Sequence, residues 1–194
     1  MSVESVKKFF EDNNLPLKVE ETEGDTATVK TAAATWGVEE DQIAKTMGYK
    51  LKSGEYILIL TKGGARVDNK KFKDKFKEKA TMIPHDEVLE ATGHPIGGVC
   101  PFGLKRPLRV YLDKTLKEFE IVYPAGGSDH SAVKVPVDML EGITQGEWVD
   151  VCKDPVPADN DCTNSRQNCC FQLHPAIFII LYSLVRLRKE PIRK

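Results

Sequence analysis

The sequence predicts an α/β or α+β fold built on a mixed sheet. Short helical stripes are mixed with about six strand-like runs, and no fixed-period repeat is visible. The run Tyr56-Ile57-Leu58-Ile59-Leu60 is apolar throughout and of strand length, which places it centrally in the sheet. The chain has 194 residues, 41% hydrophobic and 29% charged, so it suits one ordinary domain with room for an appendage.

The elements follow in order. Val3, Val6, Phe9 and Phe10 share one helical face, and Asn13-Asn14 ahead of Pro16 stops that helix. Residues 17–22 alternate as a strand. Residues 31–38 form an alanine-rich helix closed by Gly37, and 39–44 a second short helix. Residues 45–51 alternate again. Gly63-Gly64 then turns the chain into a helix over 68–76, with Asp68 as N-cap and Phe72 and Phe76 as its buried stripe. A short helix over 84–91 carries Pro84 in its first turn. Strands follow at 108–112, 120–123, 132–135 and 148–151, with a short helix opening at Pro136.

Charge and cysteine content narrow the function classes. A net charge of −1 argues against a general nucleic-acid coating protein, so a polyanionic partner must meet a local basic patch. Lys70, Lys71, Lys73, Lys75, Lys77 and Lys79 are one such set, and Asp74 and Glu78 among them also fit a plain solvated helix face. The first residues start an amphipathic helix and contain no signal-peptide apolar core. Five cysteines, unevenly placed, give no disulfide framework, and a cytoplasmic location is expected.

The character changes after Lys153. Residues 154–161 read as a polar, proline-bearing linker, so a domain over 1–153 and a tail over 154–194 are expected. Cys162, Cys169, Cys170 and His174 lack the paired spacing of structural zinc sites. The apolar run over 176–185 is shorter than the roughly 18–20 residues needed to span a bilayer. Neither metal nor membrane attachment is expected.

Four glycines and two prolines fall within residues 93–104, Gly-His-Pro-Ile-Gly-Gly-Val-Cys-Pro-Phe-Gly-Leu. Such a loop is rigid, presents bare N–H groups and can hold an anion or oxyanion without a catalytic side chain. An ordinary surface turn is the plainer reading. Cys100 near His94 is either a nucleophile pair or a small packing residue beside a histidine.

Three stretches together resemble the YbaK/EbsC family, free-standing relatives of the editing domain inserted in bacterial prolyl-tRNA synthetase. They are Thr31-Ala32-Ala33-Ala34-x-Trp36-Gly37-Val38-x-x-x-Gln42-Ile43-Ala44-Lys45-Thr46, Asp68-Asn69-Lys70-Lys71-Phe72 and Gly97-Gly98-Val99-Cys100-Pro101-Phe102-Gly103. The likeness runs from about residue 3 to Lys153.

It implies a single compact α/β (α+β mixed) domain with a curled mixed β-sheet flanked by short helices. It further implies a deacylase that removes a small wrong amino acid, such as cysteine or alanine, from tRNA for proline. Carried over by residue, Lys45 is the family lysine, Gly97 to Pro101 is its G-x-x-x-P loop, and Gly126-Gly127 is the glycine turn that closes the pocket. Lys45, Gly97 and Gly98 are then the expected catalytic residues, with Thr46, Pro101, Gly126 and Gly127 binding substrate.

The implied partners are aminoacyl-tRNA and a prolyl-tRNA synthetase, not DNA, and no cofactor is called for. A non-catalytic module binding aminoacyl-tRNA or the synthetase is the alternative.

The chemistry can be argued from the residues as well. An aminoacyl ester is already activated, so holding it and stabilising the tetrahedral oxyanion is most of the task. The chain has no G-x-S-x-G, and its four histidines are scattered. That fits a nucleophile from the substrate's ribose hydroxyl, its side chain or water. Lys45 is expected to act as an exposed anchoring cation whose truncation costs about 0.5 kcal/mol or less. Thr46 either adds a pocket hydroxyl or pairs across the sheet.

Overall fold

The computed structural model describes residues 2–153. Its helices are α1 (Ser2–Asp12), α2 (Val29–Trp36), α3 (Asn69–Phe76), α4 (His85–Thr92) and α5 (Val137–Thr144). The strands run β1 (Val19–Glu21), β2 (Ala44–Lys50), β3 (Tyr56–Lys62), β4 (Arg66–Val67) and β5 (Arg109–Asp113). They continue with β6 (Ile121–Val122), β7 (Ser131–Val133), β8 (Val135–Pro136), β9 (Glu147–Val149) and β10 (Cys152–Lys153).

The principal sheet has the order β2-β3-β5-β9. It is mixed: β2 pairs antiparallel to β3, while β5 and β9 run parallel. Ile57, Leu58, Ile59 and Leu60 of β3 are wholly buried, as a central strand covered on both faces requires. Leu58 and Leu60 join Val6, Phe10, Phe102 and Leu112 in one core. Ile57 and Ile59 face the other way, to Tyr49, Phe72 and Tyr111. Each such side chain contributes about 1.5–3 kcal/mol by burial.

Local rules account for most element ends. Thr28 and Thr31 close a reciprocal capping box at the start of α2, and Gly37 ends it with φ of 65°. Asp68 accepts from the N–H groups of Lys70 and Lys71 at the head of α3. The rings of Phe72 and Phe76 pack at 4.5 Å.

Three expectations change. The short helix over 39–44 is a 3-10 turn, Glu40–Gln42, because Ala44 already donates to Tyr123 and enters β2. The strand over 132–135 divides, β7 pairing β1 and β8 pairing β6. Beyond β9 the chain bends into β10, which pairs with β4. Asp113, 1% exposed, holds that bend by accepting from Val151 and Cys152 N–H at 2.9 and 3.0 Å.

Among the described residues no helix is long and apolar enough to cross a membrane. The readings of the linker, of Cys162, Cys169, Cys170 and His174, and of the run over 176–185 fall outside those residues.

Candidate active site

A cavity of about 300 Å³ opens beside β2. Ala44, Thr46 and Gly48 contribute from the strand, Ala32 and Trp36 from α2, and Val88 and Thr92 from α4. Gly97 and Val99 of the glycine-rich loop also line it, as do Tyr123 and Ala132. The lining is mostly apolar, and it contains no carboxylate and no thiol.

Strand alternation separates Lys45 from Thr46. Thr46 lies on the cavity face, where its buried Oγ1 has no hydrogen-bond partner. Lys45 contributes to the lining, but its side chain belongs to the opposite face. There its ammonium donates to the carbonyl of Gly63 at 2.9 Å and to that of Ala65. Partial burial holds the lysine pKa below its ordinary value. The cation is tethered to a turn, where an exposed one was expected.

The glycine loop divides its tasks. Gly97 lines the cavity with φ of 88°, and its N–H has no acceptor among the described residues. Gly98 donates to Pro95 at 3.0 Å, so its N–H is used inside the loop. A Cβ on Gly98 would stand 2.6 Å from Ser128 Cα, so this residue lets two glycine turns touch. Gly126 and Gly127 sit in the second turn. Gly126 donates to Ser131, and the Gly127 carbonyl accepts from the Ser2 hydroxyl. Gly98, Pro101, Gly126 and Gly127 do not line the cavity, whereas Lys45, Thr46 and Gly97 do.

Residues 23–143 match the family described as the aminoacyl-tRNA editing domain. The chain belongs to this family. The uncharacterised Bacillus subtilis protein YwhH is 46% identical over 155 residues, 79% of this chain and 99% of YwhH. EbsC of Enterococcus faecalis, named as a candidate Cys-tRNA(Pro)/Cys-tRNA(Cys) deacylase, is 23% identical over 148 residues, 74% of this chain and 90% of EbsC. The crystal structure of a candidate trans-editing enzyme for prolyl-tRNA synthetase aligns with a TM-score of 0.73 at 31% identity. That alignment covers 78% of this chain and 97% of that protein. Bacterial proline–tRNA ligases also match, and the chain spans under a third of their length.

In this editing domain the Cys100–His94 pair is a packing feature. His94 Nε2 lies 2.8 Å from the Phe102 carbonyl and therefore carries the ring proton. It cannot take one from the Cys100 thiol 3.6 Å away. Burial pushes that thiol up to about 12, far from a reactive thiolate. On α3, Lys71 pairs with Asp150 at 2.6 Å, and Lys75 pairs with Glu147. The helix is therefore a solvated face with acidic partners, and such exposed pairs contribute little.

Trp36 is one of several cavity residues, with Val88, Thr92 and Tyr123, that the sequence did not single out. It was absorbed into an alanine-rich helix, although a tryptophan in the last turn, just before the closing glycine, is a visible signal.

Proposed function

We propose that the protein is a trans-editing hydrolase that cleaves the ester between tRNA and a small wrong amino acid, with tRNA for proline as its substrate. The observation that carries this is the cavity itself, which is mostly apolar, near 300 Å³ and free of carboxylate and thiol. A small aminoacyl group fits that space, and the family and the two named relatives support the chemistry.

The reaction consumes one water. The acyl C–O bond breaks, the amino acid leaves as its acid, and the ribose oxygen takes the proton. No side chain in the lining is an activated nucleophile, so attack falls to the neighbouring ribose hydroxyl, the substrate's side chain or water. The free Gly97 N–H is a donor for the tetrahedral oxyanion, a contact typically worth about 10²–10³ in rate. Lys45 acts as a positioning residue: its tether to the carbonyls of Gly63 and Ala65 holds the start of β2, and hence Thr46, against the turn after β3. Activity resides in residues 1–153, and a prolyl-tRNA synthetase is the partner whose errors the enzyme removes.

The test is a deacylation time course with alanyl- and cysteinyl-tRNA for proline at catalytic enzyme. Multiple turnovers support the hydrolase. Stoichiometric protection of the ester makes the protein a binding module.

A further inference from the structure

The turn over 126–131 touches three pieces of the cavity wall. Ser131, 1% exposed, lines the cavity itself. The Asp129 carbonyl accepts from both the N–H and the hydroxyl of Thr26 at 2.8 Å, and Thr26 and Ala27 also line the cavity. Gly97 is the third piece: a Cβ there would stand 3.2 Å from Asp129 Cβ and 3.3 Å from Ala27 Cβ. With Gly98 packed on Ser128 beside it, the unpaired Gly97 N–H is placed by this turn.

The turn is pinned from behind by α1. The Ser2 hydroxyl donates to the Gly127 carbonyl. A Cβ on Gly127, whose φ is 101°, would stand 2.6 Å from the Ser2 carbonyl oxygen. The same helix reaches the end of the glycine-rich loop, where a Cβ on Gly103 would stand 2.5 Å from the Ser5 carbonyl oxygen. α1 is itself fixed in the core. Val6 is wholly buried, and the Phe10 ring meets Phe102 edge-on at 5.2 Å. No residue of α1 lines the cavity.

We propose that Ser2 is a positioning residue for the hydrolysis: through the turn it holds, it sets where the Gly97 N–H stands. The effect on rate rests on the deacylase reading above, and the placement of Gly97 does not. A donor stabilises an oxyanion well only when it is fixed before the reaction begins. A misplacement near 1 Å in such a site can cost about 10²-fold in rate. Ser2 and Ser5 supply that fixity at one side, the Ser5 hydroxyl donating to the Ser2 carbonyl at 2.7 Å.

The experiment compares Ser2→Ala and Ser2→Thr in the full chain, with two readouts. One is single-turnover and steady-state deacylation of alanyl- and cysteinyl-tRNA for proline. The other is the Gly97 amide resonance in the protein's ¹⁵N–¹H spectrum. Ser2→Ala should lower kcat roughly tenfold or more, with KM within about twofold. It should also move the Gly97 resonance, and Ser2→Thr, which keeps the hydroxyl, should restore both. In a Gly97→Ala background Ser2→Ala should change kcat little further, because the two act at one donor.

A merely structural role lowers the thermal midpoint and leaves kcat per folded molecule and the Gly97 resonance where they were. That result, or the same loss of kcat in the Gly97→Ala background, overturns the proposal. If the wild type hydrolyses no ester, yet the resonance moves in Ser2→Ala and returns in Ser2→Thr, the placement of Gly97 by Ser2 stands and the deacylase reading falls. Hydrolysis with an unmoved resonance does the reverse.

Discussion

Lys45 and Thr46 are neighbours in β2, yet their polar ends lie on opposite faces of the sheet. The threonine hydroxyl ends unpaired beside the cavity, and the lysine ammonium lies 2.9 Å from the carbonyl of Gly63. One residue lines the cavity face, and the other is committed to the turn behind it.

Lys45→Ala should therefore cost both stability and activity. Two carbonyls of the turn after β3 lose a charged donor, which amounts to about 1–3 kcal/mol. Deacylation per folded molecule should fall at least about tenfold as the floor of the cavity loosens. Chemical denaturation and single-turnover deacylation measure the two effects separately. Near-wild-type turnover from a folded variant takes the lysine out of the mechanism.

Alanine in the glycine loop should act differently at its two central positions. At Gly98 the new Cβ meets backbone, 2.6 Å from Ser128 Cα and 2.7 Å from its nitrogen, so the turns must separate and the domain should lose several kcal/mol of stability, ~3 or more. At Gly97 the nearest atoms stand 3.2 Å and 3.3 Å away, and the cost is mainly that of φ at 88°, about 1–2 kcal/mol. Its kcat should still drop, because the Cβ sits on the cavity wall. Cys100→Ala should keep kcat per folded molecule. A dead Cys100→Ala beside active glycine variants would turn the mechanism to cysteine catalysis.

His94 gives the domain an acid-side weakness. Its ring is fully buried, and desolvation holds its folded pKa below the ordinary 6.5, opposed by its bond to the Phe102 carbonyl. Between the folded value and 6.5 the unfolded chain binds the extra proton. Stability is therefore complete above about pH 6.5 and declines as pH falls toward the folded pKa. Thermal midpoints taken from pH 8 to 5 should show this slope, flattened in His94→Gln. An equal slope in both proteins assigns the effect to other groups.

Asp113 should matter to the fold and not to the chemistry. Its carboxylate accepts from Thr115, Val151 and Cys152 N–H, and it lies outside the cavity lining. Asp113→Ala strands three donors, two of them buried, and should cost at least about 3 kcal/mol. Turnover per folded molecule should be unchanged at temperatures where the variant is folded. A selective loss of kcat would mean that the β9–β10 bend communicates with the cavity.

Much of this protein was legible one segment at a time. The apolar run of β3 announced a central strand, Asp68 capped α3, and Gly37 closed α2, since each depends on residues a few positions apart. The same holds for the motif that placed the chain in its family. Four things were decided elsewhere. Gly97 and Gly98 look alike in sequence, but only the approach of Ser128, 30 residues on, makes one a cavity wall and the other a contact between turns.

Trp36 became a cavity residue only when α2 packed beside β2. The two-residue strands β4 and β10 were unreadable because neither has a pattern of its own, and the buried carboxylate of Asp113 helps hold the bend that precedes β10. Strand alternation puts the side chains of Lys45 and Thr46 on opposite faces, although the sequence motif assigned both to the site. Which one faced the cavity depended on the layers that covered each face of the sheet, and sheet layering is set by long-range burial that no local stretch of sequence encodes.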